Sequence, residues 1–223
     1  MPPPNPQRRK QVVEVDVIAL AIDSNFEPVT KAAFDYRQKN IYPFLENKGF
    51  SLVRCQGPLA RRHYVAPEAR KTNVVYMTGV GHGSYNTYTG DYYDPVFQGG
   101  NYSQEEAQGK IVHFLSCETA RDLGPDFVVH KCRAYFGYDE NFTFVSADGD
   151  TFFECDSEID RAFADGLSAA EVYDRVIKLY NQRIADLRTA GKLYVAATLE
   201  FDRDHLRCPT SGSKWGDPRA KLG

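Results

Sequence analysis

The sequence predicts an α/β domain with a mostly parallel sheet of about six strands between helices, and three observations lead there. Apolar β-branched runs alternate with helical apolar spacings from residue 11 onward. A chain of 223 residues suffices for one α/β core and does not demand a second. Five cysteines, an odd number without small-domain spacing, argue for reduced thiols over a disulfide framework.

Residues 1–10 hold four prolines and three basic side chains, a composition expected of an extended or mobile tail, leaving residues 11–223 as a single domain. Val12 to Ile22 reads as a buried strand. Val29 to Lys48 carries helical spacing through Ala32, Ala33, Tyr36 and Ile41, with Pro43 leaving its end open. Ser51 to Cys55 is a second strand, Pro58 to Lys71 a polar, partly helical stretch, and Asn73 to Val80 a third strand. After a Gly-, Tyr- and Asn-rich segment, Lys110 to Ser116 reads as a fourth strand, Gly124 to Lys131 as a helix and Arg133 to Tyr138 as a fifth strand. Ser168 to Ala190 is the clearest helix: Ser168 caps it, Glu171 completes a capping box, and Val172, Val176, Leu179, Tyr180, Ile184 and Leu187 form its apolar stripe.

Charge and hydropathy narrow the partners. Twenty-seven basic against thirty acidic residues give a net charge of −3, which offers no global attraction for nucleic acid. No stretch approaches the roughly 20 apolar residues that span a bilayer, and no secretory apolar core follows the N-terminal basic residues. A cytoplasmic protein without a membrane partner is the expectation.

Two stretches carry chemistry. Val74-Val-Tyr-Met-Thr-Gly-Val-Gly-His-Gly83 is a strand that breaks into glycines around His82, and Ile111-Val-His-Phe-Leu-Ser-Cys117 is a strand that breaks at Cys117. If these are parallel neighbours, both residues emerge at the carboxyl end of the sheet, where open α/β sheets gather their ligands. An imidazole beside a thiol makes a nucleophile and its proton acceptor, and a helix after Cys117 would further favour thiolate. The N–H groups of Gly83 and Cys117 could then hold the oxyanion of an attacked amide. On residues alone, a buried structural cysteine and a turn histidine remain the competing account.

The two blocks together resemble the caspase-like cysteine peptidase superfamily, in which an apolar strand leads into His-Gly and a later one into the nucleophilic Cys. Leu115-Ser-Cys-Glu-Thr-Ala120 with Leu123-Gly-Pro-Asp-Phe127 is most similar to the CHAT branch, and Gly216-Asp-Pro218 to the gingipain-like branch. The resemblance implies a three-layer caspase-like sandwich and a cysteine endopeptidase, a hydrolase acting on protein or peptide substrates. In it His82 is general base and acid, Cys117 the nucleophile, and Gly83 with the Cys117 amide the oxyanion site. No cofactor or metal is implied. Ser116 stands where the superfamily usually has Ala, and Leu115 where some relatives carry an acidic specificity residue. Many relatives are controlled by fused domains or partners, so a regulatory partner or a homodimer is expected. Two rivals are an inactive scaffold that only binds and another Cys-dependent acyl hydrolase.

His113, Cys117, His130 and Cys132 raise zinc, but neither Cys-x-x-Cys nor His-Glu-x-x-His occurs. Asp139, Glu140, Asp148 and Asp150 border the specificity pocket in a caspase-like arrangement, where a carboxylate would favour a basic residue on the acyl side of the scissile bond. The competing account is a solvated loop leading into the acidic first turn of a helix. Tyr85, Tyr88, Tyr92, Tyr93, Phe97 and Tyr102 form either a substrate wall beside His82 or packing over the sheet edge.

Overall fold

The computed structural model describes residues 17–222. The expected tail over residues 1–10, and the part of the first strand expected before Val17, lie outside them. In chain order the elements are β1 (Ile18–Asp23), α1 (Pro28–Asn40), α2 (Tyr42–Asn47), β2 (Ser51–Gln56), α3 (Arg62–Ala69) and β3 (Val74–Val80). There follow β4 (Gly83–Ser84), β5 (Thr87–Thr89), β6 (Pro95–Gln98), α4 (Gln104–Ala107), β7 (Ile111–Leu115), α5 (Leu123–Val129) and β8 (Ala134–Tyr138). Three helices, α6 (Gly149–Ala164), α7 (Ala169–Thr189) and α8 (Leu193–His205), precede the short β9 (Leu206–Arg207).

The central sheet has six strands in the order β2-β1-β3-β7-β8-β9. All its pairs are parallel except β8 with β9. Strand alternation sorts the side chains onto two faces. Tyr76, Val80, Ile111, Leu115 and Phe136 pack with α6, α7 and α8, while Met77, Val112, Phe114 and Tyr135 pack with α3 and α5. The sheet therefore lies between two helical layers. Each fully buried aliphatic or aromatic side chain contributes roughly 1.5–3 kcal/mol.

Local sequence accounts for most boundaries. Ser168 and Glu171 form the expected capping box, with the Ser168 N–H donating to the Glu171 carboxylate at 2.8 Å and the Glu171 N–H donating to Ser168 Oγ at 3.4 Å. The single helix expected over Val29 to Lys48 is two helices. Pro43 has no N–H to donate to the Lys39 carbonyl and its ring would clash there, so the chain turns at Ile41 and restarts with Pro43 in the first turn of α2. Asp139, Glu140 and Asp148 precede α6 and Asp150 lies in its first turn, while the acids further along that helix, Asp156 and Asp160, are buried. Neither α8 nor the antiparallel edge β9 was anticipated.

Candidate active site

β3 and β7 are adjacent and parallel, with Val80 opposite Leu115. His82 and Cys117 each lie two residues beyond that pair, on strands about 4.8 Å apart. The turn after β3 is tied to β7 where the Gly81 N–H donates to the Leu115 carbonyl at 3.2 Å. Gly83 then passes so close that a Cβ on it would sit 2.2 Å from the Cys117 carbonyl oxygen, so any larger residue would push the two loops apart. Both His82 and Cys117 line one cavity of about 50 Å³, walled mainly by Val29, Ala33, Val80, Leu115, Phe142, Phe144 and Phe153.

His82 is about one-third exposed, and its Nε2 lies 3.2 Å from Glu27 Oε1, off the hydrogen-bonding axis. Glu27 comes from the start of α1, where its carboxylate accepts from the Thr30 N–H at 2.6 Å and the Val29 N–H at 2.8 Å. Against the opposing pull of partial burial, those two donors, with His82 behind them, hold the Glu27 carboxyl below its usual range. An anionic carboxylate thus faces the imidazole. It can orient the ring and stabilise a positive charge on it.

Cys117 departs from expectation. Residues 116–122 are irregular, Glu118 has φ of 60°, and α5 begins only at Leu123, so no helix N-terminus points at the sulfur. Burial pushes the Cys117 thiol up, and Glu118 and Asp202 add to it despite the Phe142 contact. The Sγ donates to the Phe142 carbonyl at 3.9 Å rather than to the ring of His82. Among the described residues, the Cys117 N–H has no hydrogen-bond acceptor. In the β4–β5 ladder the Thr89 N–H donates to the His82 carbonyl, which makes Gly83 and Tyr88 the next, non-hydrogen-bonded pair and turns the Gly83 N–H off that ladder.

None of the four acidic specificity candidates lines this cavity. Asp139 accepts from Arg207 at 2.6 Å and pairs with His205 at 2.9 Å, Glu140 is paired with Arg121, and Asp148 with Lys192. Asp150 lies with Asp35 in a neighbouring groove beyond the wall of Phe144 and Phe153. The residues raised for zinc are also dispersed among other partners. His113 is held between Asp156 and Asp160, His130 Nδ1 sits 2.9 Å from the Asp126 carbonyl, and Cys132 donates to the Lys110 and Ala134 carbonyls.

The aromatic segment divides between its two readings. Tyr88, Phe97 and Tyr102 are buried, whereas Tyr85, Tyr92 and Tyr93 are exposed. Glu27, Phe142 and Phe144 were missed at the sequence level. A Glu before a Pro signals a helix start, and nothing near it in the chain connects it to His82. No protein-family model matches the chain, and no curated protein matches it.

Proposed function

We propose that this protein is a cysteine peptidase with a caspase-like fold, acting through His82 and Cys117. The observation that carries the reading is the β3–β7 register, from which a partly exposed imidazole and a thiol enter one cavity just past the ends of adjacent parallel strands. The adjacent Cys117 N–H, without an acceptor among the described residues, supports it further.

The chemistry follows from that arrangement. His82 takes the Sγ proton as the sulfur attacks the substrate carbonyl carbon, and the N–H groups of Cys117 and Gly83 receive the oxyanion. Imidazolium, steadied by Glu27, then gives its proton to the leaving amine as the C–N bond breaks, leaving a thioester. Water attacks that thioester, loses its proton to His82, and releases the carboxylic acid while the thiol takes the proton back. The resting thiol donates to Phe142, so substrate must displace that contact before proton transfer; catalytic hydrogen bonds commonly tighten only in the complex.

The apolar cavity favours a small apolar acyl-side residue, because its walls hold no carboxylate to meet a basic one. A panel of reporter peptides with Ala, Val, Leu, Asn, Asp and Arg at that position tests both points. Cleavage of the apolar members, abolished in Cys117→Ala, is expected; fastest cleavage of Arg would return the acidic residues to the pocket. A second reading, a binding module without turnover, draws on the half-buried thiol, which burial pushes up, and on the small cavity. A thiol-reactive peptide probe separates the two: absence of labelling at Cys117 across pH 6 to 9 would leave only binding.

A further inference from the structure

Two aromatic rings pack against His82, and a third joins them. The Tyr93 ring centroid is 5.0 Å from that of His82, and the Phe26 centroid is 6.3 Å away at a steep angle. Phe26 in turn stacks on Tyr92 at 5.0 Å and meets Tyr93 edge-on at 4.9 Å. Arg61 backs the face of Tyr92 at 6.0 Å, and its charge is matched by Asp91 at 2.8 Å. Despite this packing, Tyr92 is 71 % and Tyr93 58 % exposed.

The backbone beneath them is unusual. Tyr92 and Tyr93 have φ of 49° and 61°, two consecutive bulky residues in the left-handed region. Glycine or asparagine would hold such a turn with less strain, so the sequence keeps aromatic rings here at a conformational cost. That cost is unexplained by core packing, since both rings project outward. Tyr93 packs directly on His82, and Tyr92 is joined to it through Phe26.

Resting on the dyad reading above, we propose that Tyr92 and Tyr93, propped by Phe26, form a subsite for the residues that follow the scissile bond, selecting large apolar or aromatic side chains there. The direction comes from the chemistry. His82 must hand its proton to the leaving amine, so the departing half of the peptide has to lie on the histidine side of Cys117. A side chain just beyond that amine passes over the ring packed on His82. Local charge is balanced by Arg61 and Asp91, so the platform offers apolar and π contact rather than an ionic one.

The test uses peptides that share one acyl half, the best in the reporter panel, and carry Phe, Leu, Gly or Asp in the first two positions after the scissile bond. The expected kcat/KM ratio of Phe over Gly is about 10-fold, the scale of one hydrophobic subsite contact. In Tyr92→Ser and Tyr93→Ser that ratio should fall to about 3-fold or less, while Tyr194→Ser, on the exposed face of α8, should keep it. Because the ratio is taken within each variant, a partly misfolded preparation does not distort it. A wild-type ratio near 1, or a ratio untouched by both substitutions, overturns the subsite and leaves the peptidase reading standing. If Tyr92→Ser instead changes the sedimentation coefficient with the ratio intact, the rings serve self-association and the subsite is also overturned. Failure to cleave any peptide in the set removes the peptidase reading and the subsite with it.

Discussion

His113 stands on β7 and His82 just past the end of the neighbouring β3, and their surroundings are opposite. His113 sits in the middle of β7 with its side chain fully buried, Nε2 3.1 Å from Asp156 and Nδ1 3.3 Å from Asp160. Although burial alone would lower it, those two carboxylates push the imidazole up to about 9. The same carboxylates face Arg37, itself fully buried, which lies 3.0 Å from Asp160 and 3.8 Å from Asp23. His82, past the end of β3, is one-third exposed and has one carboxylate, imperfectly aligned. A fully buried histidine locked between two anions is poorly placed to exchange protons with a substrate. One at a strand end, with a single loose partner, keeps the freedom that acid–base chemistry requires.

This contrast can be broken from either side. The largest expected effect is on activity: His82→Ala should lower kcat by about 1000-fold or more, with a urea midpoint close to that of the parent because little packing is lost. An unaltered kcat would show that the exposed histidine is not the proton carrier. On the buried side, Arg37→Met leaves Asp23, Asp156 and Asp160 facing one another without their shared cation, so unfolding free energy should drop by about 3–5 kcal/mol.

Stability should also depend on pH through the buried pair of elements α6 and β7. A histidine raised from 6.5 to about 9 stabilises fully below pH 6.5 and loses that contribution as pH rises through 9, a change of about 3 kcal/mol. Denaturation across pH 6 to 10 should show that decline, and His113→Asn should flatten it. Asp202 acts in the same direction for a different reason. Burial pushes its carboxyl up to about 8, so the folded state holds a proton that the unfolded chain releases above its ordinary value near 3.8, and stability falls between those limits. Asp202→Asn keeps an acceptor for the Thr143 N–H, which now donates to Asp202 at 3.1 Å, and should add about 1–2 kcal/mol at pH 8. Urea titrations at pH 5 and pH 8 check the sign: a gain confined to pH 5 would be the wrong one.

The smallest effect is expected at Glu27. Glu27→Gln retains an oxygen for the Thr30 N–H at the helix cap and removes the charge beside His82. Stability should change by less than about 1 kcal/mol. Turnover should fall about tenfold with little change in KM, as a group that steadies imidazolium in the transition state requires. A rise in KM alone would make Glu27 a helix cap and nothing more.

The strands around the site were legible because each is a compact apolar run ending at glycine or a polar break, and α7 because Ser168, Glu171 and its apolar stripe lie within one continuous segment. The same local logic marked His82 and Cys117 as strand-end residues. It failed at α6, where Asp156 and Asp160 look like solvent-facing acids until Arg37 and His113 arrive from distant parts of the chain. It also offered Asp139, Glu140 and Asp148 as free carboxylates, when Arg207, Arg121 and Lys192 occupy them.

By itself, then, the sequence determined the strands β1, β2, β3, β7 and β8, the helix α7, and which two side chains stand at the ends of β3 and β7, because those features depend on periodicity and on residues a few positions apart. Tertiary structure alone decided that the two strands are neighbours, that Glu27 meets His82, and that Phe142 covers Cys117. Those contacts join segments far apart in the chain, and only the packing of a sheet between its helices brings them within reach.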